Sequence, residues 1–206
     1  MQEHLESMHP SNFLGAIAMN IIPSFRAFFV ICAFSCHFPL TAQQACSPSI
    51  SWNVYFSPQG GATSAIVQTL NKSKSTVLVQ AYSFTSKPIA EALVRAHERG
   101  VRVEVLLDRS QKTQRFAVID LLIHSAIPTR IDAAHAIAHS KVMIIDNEIV
   151  IAGSFNLTKA SEERNSENLL IIRDRRLAFL YADKWNLHRK HCVSLSSGPF
   201  SGDDEN

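Results

Sequence analysis

The chain has 206 residues, 46% of them apolar and 18% charged, and carries a formal charge of +2. That length and balance suit one domain with a true hydrophobic core and exclude a disordered chain, except at its ends. A charge so close to zero does not by itself point to a polyanionic partner.

The first forty residues differ from the rest. One positive side chain, Arg26, precedes an apolar run from Ala27 to Phe34, and Pro39 and small residues follow. That order is the one found in secretory signals. It predicts a signal peptide over residues 1–42, a folded domain over 43–192 and a flexible tail over 193–206, in a protein delivered to the periplasm or secreted. Ala42 is the preferred cleavage position and Ala45 the second. Met19 is an alternative start, because residues 1–18 add two acids and no positive charge. The rival reading is an uncleaved membrane anchor, with a membrane as partner. Against it, the apolar run is shorter than the roughly 20 residues that span a bilayer, and Pro23 and Arg26 interrupt any longer one.

Cys32 and Cys36 would leave with the signal. Cys46 and Cys192 would remain, flanking the domain, where an oxidising compartment could join them in a disulfide. Two independent thiols are the alternative. Gln43, Gln44 and Ala45 before Cys46 do not make a lipid-attachment signal. Loss of Arg26, Glu3 and Glu6 leaves 19 positive against 16 negative side chains, a mildly cationic mature chain.

Along the domain, "WNVYF" reads as a strand ended by the turn "SPQGG". Apolar spacing at Ala62, Ala65, Ile66 and Leu70 predicts a helix over Ala62–Asn71. "STVLVQAYSF" reads as a buried strand. In "SKPIAEALVRAHERG" Ser86 is placed as an N-cap, Pro88 in the first turn and Gly100 at the C-terminal stop of a helix. "VRVEVLLD" is a strand, "TQRFAVIDLLIHSA" a helix and "IPTRI" a short strand. "SKVMIID" and "EIVIAG" form a pair joined by a turn at Asp146–Asn147, with His139 at the start of the first. "ENLLIIRD" is a further strand and "RRLAFLYADKWNLHRKH" an amphipathic helix. The alternation predicts an α/β/α sandwich around a mixed, largely parallel sheet.

The spacing His139-x-Lys141-x4-Asp146-x6-Gly153-Ser154-x-Asn156 carries the chemistry. Alternate strand residues share a face, so His139 and Lys141 would project together. Imidazole serves as nucleophile or acid–base group near neutral pH, and an ammonium beside it suits a phosphate oxygen. Gly153 lets backbone approach a ligand, while Ser154 and Asn156 are compact hydrogen-bond donors. Together they describe a site for an anionic, tetrahedral group. Glu167 could orient the imidazole through its other N–H. As a metal site this set is poor, with one imidazole and a repelling lysine. Singly, each residue has an ordinary structural reading: a strand histidine, a solvated lysine, a turn Ser and Asn. The set as a whole is harder to explain that way.

Those six positions resemble the signature of the phospholipase D superfamily. "VYFSPQGG", "AYSFTS", "RGVRVEVLLD", "GSFNLTKASEERNSENLLI" and Trp185 extend the resemblance over nearly all of residues 51–190, toward the small EDTA-resistant periplasmic endonucleases of bacteria. The resemblance implies that His139 attacks phosphorus and forms a covalent phosphohistidine. Lys141 and Asn156 would bind the non-bridging oxygens, Ser154 would add a hydrogen bond, and Glu167 would hold the tautomer of His139. Asp146 would support the architecture. No cofactor and no metal is implied.

A two-step transfer also needs an acid for the leaving oxygen. Only one signature is present. His97 and His124 fall in helix patterns, His188 and His191 in the last one, and His135 lies just upstream, either lining the cleft or solvated. A homodimer with two facing His139 residues is the economical answer. Nucleic acid, DNA or RNA, is the expected substrate, with Lys112, Arg115, Lys159 and Arg164 as candidate phosphate contacts. The alternatives are a lipid phosphodiesterase, as in the single-signature mitochondrial cardiolipin hydrolases, and an inactive nucleic-acid-binding module.

Overall fold

A computed structural model describes residues 50–112 and 117–195. The signal segment, Cys46 and Arg115 lie outside the described residues. The elements in chain order are β1 (Ser51–Ser57), α1 (Ala62–Asn71), β2 (Thr76–Ala81), α2 (Lys87–Glu98), β3 (Arg102–Asp108), a 3-10 turn (Arg109–Lys112), α3 (Ala117–His124), β4 (Thr129–Asp132), β5 (Lys141–Ile145), β6 (Ile149–Gly153), α4 (Lys159–Glu163), β7 (Glu167–Arg173), α5 (Arg175–Arg189) and β8 (Val193–Ser194). None of these helices is long and apolar enough to cross a membrane.

The eight strands form one sheet in the order β1-β7-β6-β5-β2-β3-β4-β8. Side-chain alternation divides its two faces. Val77 and Val79 of β2, Val103 and Val105 of β3, and Met143 of β5 pack with Ile66, Leu93 and Leu122 of α1, α2 and α3. Their neighbours Leu78, Leu106 and Ile144 point the other way, onto Ala178, Ala182 and Trp185 of α5. Strands buried on both faces need continuous apolar runs, which is why "TVLVQA" and "RVEVLLD" read as they do. The Trp185 indole N–H donates to the Val79 carbonyl at 2.9 Å, so the large ring is buried with its one donor satisfied.

The sandwich is as expected, but the sheet is less parallel than expected. Only β2–β3 and β3–β4 are parallel pairs; β5, β6, β7, β1 and β8 all join antiparallel. Parallel neighbours need a crossover, and only α2 and α3 supply one. Between β5 and β6 the chain has only Asp146, Asn147 and Glu148, the first two at positive φ, 56° and 52°, the geometry of a tight hairpin that can only reverse direction.

Three local expectations need correction. The ladder of β5 begins at Lys141, so His139 sits two residues before the strand rather than in it. Ser86 is the N-cap residue of α2, but its side chain makes no cap bond; its backbone N–H donates to Leu157 instead. The ordered domain also runs past 192. Val193 and Ser194 pair with β4, and the Leu195 N–H donates to Thr129. That edge strand is two residues long, too short to leave a sequence signature.

Candidate active site

The strand directions gather one set of ends. β1, β2, β3 and β6 finish where β5 and β7 begin, as the pairings Ala81↔Lys141, Ser57↔Glu167 and Gly153↔Leu169 show. His139, Lys141, Ser154, Asn156 and Glu167 are therefore brought to one end of the sheet by the successive strands β5, β6 and β7 and the segments that flank them. Asp146 is not. It lies beyond the opposite end of β5, about 17 Å away for five residues of strand.

His139 is exposed, and among the described residues its ring makes no hydrogen bond. It rests against Tyr82, ring centroids 4.5 Å apart at an angle of 58°. Its backbone is held on both sides. The Ala138 N–H donates to the buried Asp108 carboxylate at 2.6 Å, and the Lys141 ammonium donates to the His139 carbonyl at 2.7 Å. Asp108 also accepts from the Ser110 N–H. Burial pushes its pKa up, but these bonds and the Arg109 charge more than offset that, leaving it below the usual carboxylate value. A fixed backbone with a free imidazole leaves the ring nitrogens available to a ligand.

Lys141 is only 9% exposed, an uncommon place for an ammonium. Burial lowers its pKa, and the negative charge of Glu167 partly restores it. The same ammonium lies over the Tyr82 ring, 4.9 Å from the centroid. Tyr82 thus touches both the imidazole and the cation. The sequence carries the residue in "AYSFTS" but no sign of that role. Asp108 does leave a trace, as the acid that ends the apolar strand "VEVLLD".

The segment after β6 supplies the other donors. At Gly153, φ 154°, a Cβ would collide with the backbone carbonyl of Asn168, so the approach of β7 to this turn requires glycine. The Asn168 carbonyl accepts from the Ser154 and Phe155 N–H groups, and the Ser154 hydroxyl accepts from the Asn168 N–H at 3.1 Å. Phe155 and Leu157 bury on either side of Asn156, and Leu157 bonds to Ser83, Thr85 and Ser86 after β2. Asn156 is clamped between them, yet its Oδ1 is buried with no partner. An unpaired buried amide oxygen costs about 1–3 kcal/mol, and such a group is a pointer to function.

Glu167 accepts from the Asn165 amide at 3.1 Å and faces Lys141 electrostatically; among the described residues it makes no bond to the His139 ring. Its expected hold on the imidazole is not made in this single chain. Glu162 of α4, which sequence reading passed over, accepts from the Gly61 and Thr63 N–H groups at 3.0 and 2.7 Å and so caps α1. Lys159 is exposed and paired with Glu163 at 3.6 Å, and Arg164 and Lys112 are exposed.

Asp146 has a different task. Its carboxylate accepts from the Lys74, Ser75 and Thr76 N–H groups and the Ser75 hydroxyl, at 2.7–3.1 Å. Burial raises its pKa, but these donors hold it below the usual value. It ties the β5–β6 turn to the start of β2, the architectural part expected of it. A cavity of about 670 Å³ lies at this far end, lined by Lys72, Lys74, Asp146 and Arg173, away from the His139 edge.

Comparison with known proteins gives a consistent result. A family model described as "Cardiolipin synthase, PLD-like domain" matches residues 66–188. The chain is 38% identical over 180 residues to a "Phospholipase D" of Rickettsia prowazekii, across 84% of this chain and 88% of that protein. It is 30% identical over 122 residues to the mitochondrial cardiolipin hydrolase of Mus musculus, across 59% of this chain and 55% of that one. Among solved structures it is similar to Nuc from Salmonella typhimurium, described as a phospholipase D family member. The TM-score is 0.68 at 37% identity, over 72% of this chain and 100% of that one.

Proposed function

From a chain that belongs to the phospholipase D superfamily and is a phosphodiester hydrolase, we propose an endonuclease that cleaves DNA or RNA through a phosphohistidine at His139, in a site shared by two copies. The carrying observation is the pairing of an exposed, unbonded imidazole with a buried ammonium, His139 and Lys141, braced by one Tyr82 ring.

A ring nitrogen of His139 forms the N–P bond while the bond from phosphorus to the leaving oxygen breaks. Lys141 neutralises charge on the non-bridging oxygens, and Asn156 adds an amide N–H. The leaving oxygen takes its proton from the second copy's imidazole. Water then attacks phosphorus, the N–P bond breaks, and the second imidazole accepts the water proton. Protein cations carry the electrostatic work.

Support for a second copy comes from the chain's single signature and from the edge strand β1. Trp52, Val54 and Phe56 share one exposed face there, and the strand ends at Ser57, whose hydroxyl accepts from the Glu167 N–H. The exposed Arg164 and Lys159 near the site, the mildly cationic mature chain and the sequence likeness to exported endonucleases favour nucleic acid. Export is read from residues 1–42. A disulfide to Cys192 rests on the sequence alone: Cys192 is a buried free thiol donating to the His188 carbonyl, and Cys46 lies outside the described residues. The lipid reading is favoured by what the relatives are called, phospholipase D and cardiolipin hydrolase.

The full chain, incubated in EDTA with plasmid DNA or with anionic phospholipid vesicles, separates these readings. Nicking of DNA by a dimer, with depressed activity per active chain after mixing with His139→Ala chains, is the expected outcome. Headgroup release with intact DNA would move the assignment to lipid, and full activity as a monomer would remove the shared site.

A further inference from the structure

A second constellation lies outside the phosphodiester site. Asp132, the last residue of β4, has its carboxylate 1% exposed, and three histidines converge on it from separate parts of the chain. His135 comes from the following loop, His188 from the last turn of α5, and His191 from just beyond that helix. The contacts to Asp132 Oδ2 are His135 Nδ1 at 3.0 Å, His188 Nδ1 at 3.2 Å and His191 Nε2 at 3.6 Å. All four ligating atoms fall within 4.8 Å of one another. The other carboxylate oxygen, Oδ1, accepts from the backbone N–H groups of Ala134 and His135 and is 3.1 Å from the His135 ring nitrogen.

Hydrogen bonding alone is a poor account of this. The His135 and His188 nitrogens already take the two lone pairs that one carboxylate oxygen offers, and the His191 nitrogen at 3.6 Å is gathered to the same point without a hydrogen bond to it. The rings also crowd each other, with centroids 4.9, 5.1 and 5.5 Å apart, so protonated rings would repel. Neutral imidazoles with lone pairs turned inward instead make a nest for a cation. A tetrahedral ion with bonds of about 2.0–2.1 Å sets its ligands roughly 3.3–3.4 Å apart, and the three contacts straddle that edge length. The backbone bonds to Oδ1 are the outer support that metal-ligating carboxylates require.

We propose that Asp132, His135, His188 and His191 bind one divalent transition ion of the zinc class, with three imidazole nitrogens and one carboxylate oxygen. Imidazole ligands select zinc, cobalt, nickel or copper over magnesium and calcium, which take oxygen. The side chains of His135 and His191 are 45% and 38% exposed, so an ion can enter from solvent and the two rings can adjust to close on it. Cys192 is next in the chain but stands outside the cluster: its buried thiol donates to the His188 carbonyl at 3.1 Å.

The ion's place in the fold gives it a task. It would staple the end of α5 to the loop that leads, four residues later, to His139. It shares no residue with the phosphodiester site, so loss of the ion should lower stability more than turnover.

The full chain, stripped by chelator and dialysed, is titrated with zinc chloride against a chromophoric competitor, with melting temperature read in parallel. One zinc per chain and a raised melting temperature are expected. His135→Gln together with His191→Gln, both surface positions, should weaken binding at least 100-fold, while His124→Gln should leave it unchanged. X-ray absorption should show a first shell of nitrogen and oxygen without sulfur. Absence of saturable binding by the stripped wild-type chain would overturn the proposal, as would equal affinity in the double variant or a sulfur ligand.

Discussion

His135 and His139 are four residues apart on one loop and have opposite surroundings. The His135 ring is tied to Asp132 and stacked on His188, while among the described residues the His139 ring makes no hydrogen bond and rests against the Tyr82 ring. The backbone near both is pinned by buried carboxylates, Asp132 for one and Asp108 for the other. The difference is therefore in the side chains alone. A nucleophile must keep its lone pair free until substrate arrives, whereas a ligand or structural group must spend it. The loop fixes the backbone and lets the chain's neighbours decide which imidazole is which.

The largest expected effect breaks that comparison at its reactive end. His139→Gln should lower the cleavage rate on the order of 10⁴-fold or more, as nucleophile loss does, with stability within about 0.5 kcal/mol because the ring is exposed and unbonded. Single-turnover rates and a thermal melt would show it; a few-fold loss would mean another group attacks phosphorus. Next comes Lys141→Met, which removes the buried charge and should cost about 10²–10³ in kcat with folding retained. Glu167→Gln should act through Lys141. The Glu167 charge holds that ammonium's pKa up against burial, so its loss lets the pKa fall further and the alkaline limb of the rate profile moves to lower pH. An unmoved limb would show that Glu167 acts elsewhere.

The smallest effect on activity belongs to the far end of β5. Asp146→Asn should leave the rate per folded molecule unchanged and cost about 1–2 kcal/mol of stability near pH 7, since several backbone donors lose a charged acceptor. The folded pKa of Asp146 lies below its ordinary value, so its contribution is complete above about pH 4–5 and fades as pH falls through the lowered value. The gap between wild type and variant in denaturant melts should narrow accordingly.

Legibility followed the range of each interaction. The strands β2, β3, β5 and β6 and the helices α1, α2 and α5 could be read because burial on one or two faces imposes a periodicity on neighbouring residues. The motif from His139 to Asn156 was legible because its spacing is local. Tyr82 and Asp108 were not assigned roles, as nothing near them in sequence says that Tyr82 meets the His139 ring or that Asp108 holds the backbone N–H of Ala138. The hairpin of β5 and β6 was read from its turn, but the antiparallel direction of β1 and β7 was missed, because a strand's apolar pattern is the same whichever way it runs.

The sequence by itself determined which residues are buried, where the chain turns, and which imidazole and ammonium can meet a phosphate. Only the tertiary structure decided that Asp132, His135, His188 and His191 share one point and that Asp146 stands at the other end of the sheet. Convergence of that kind depends on strand order and helix placement, which are settled by the packing of the whole core and leave no periodic trace in any short stretch of chain.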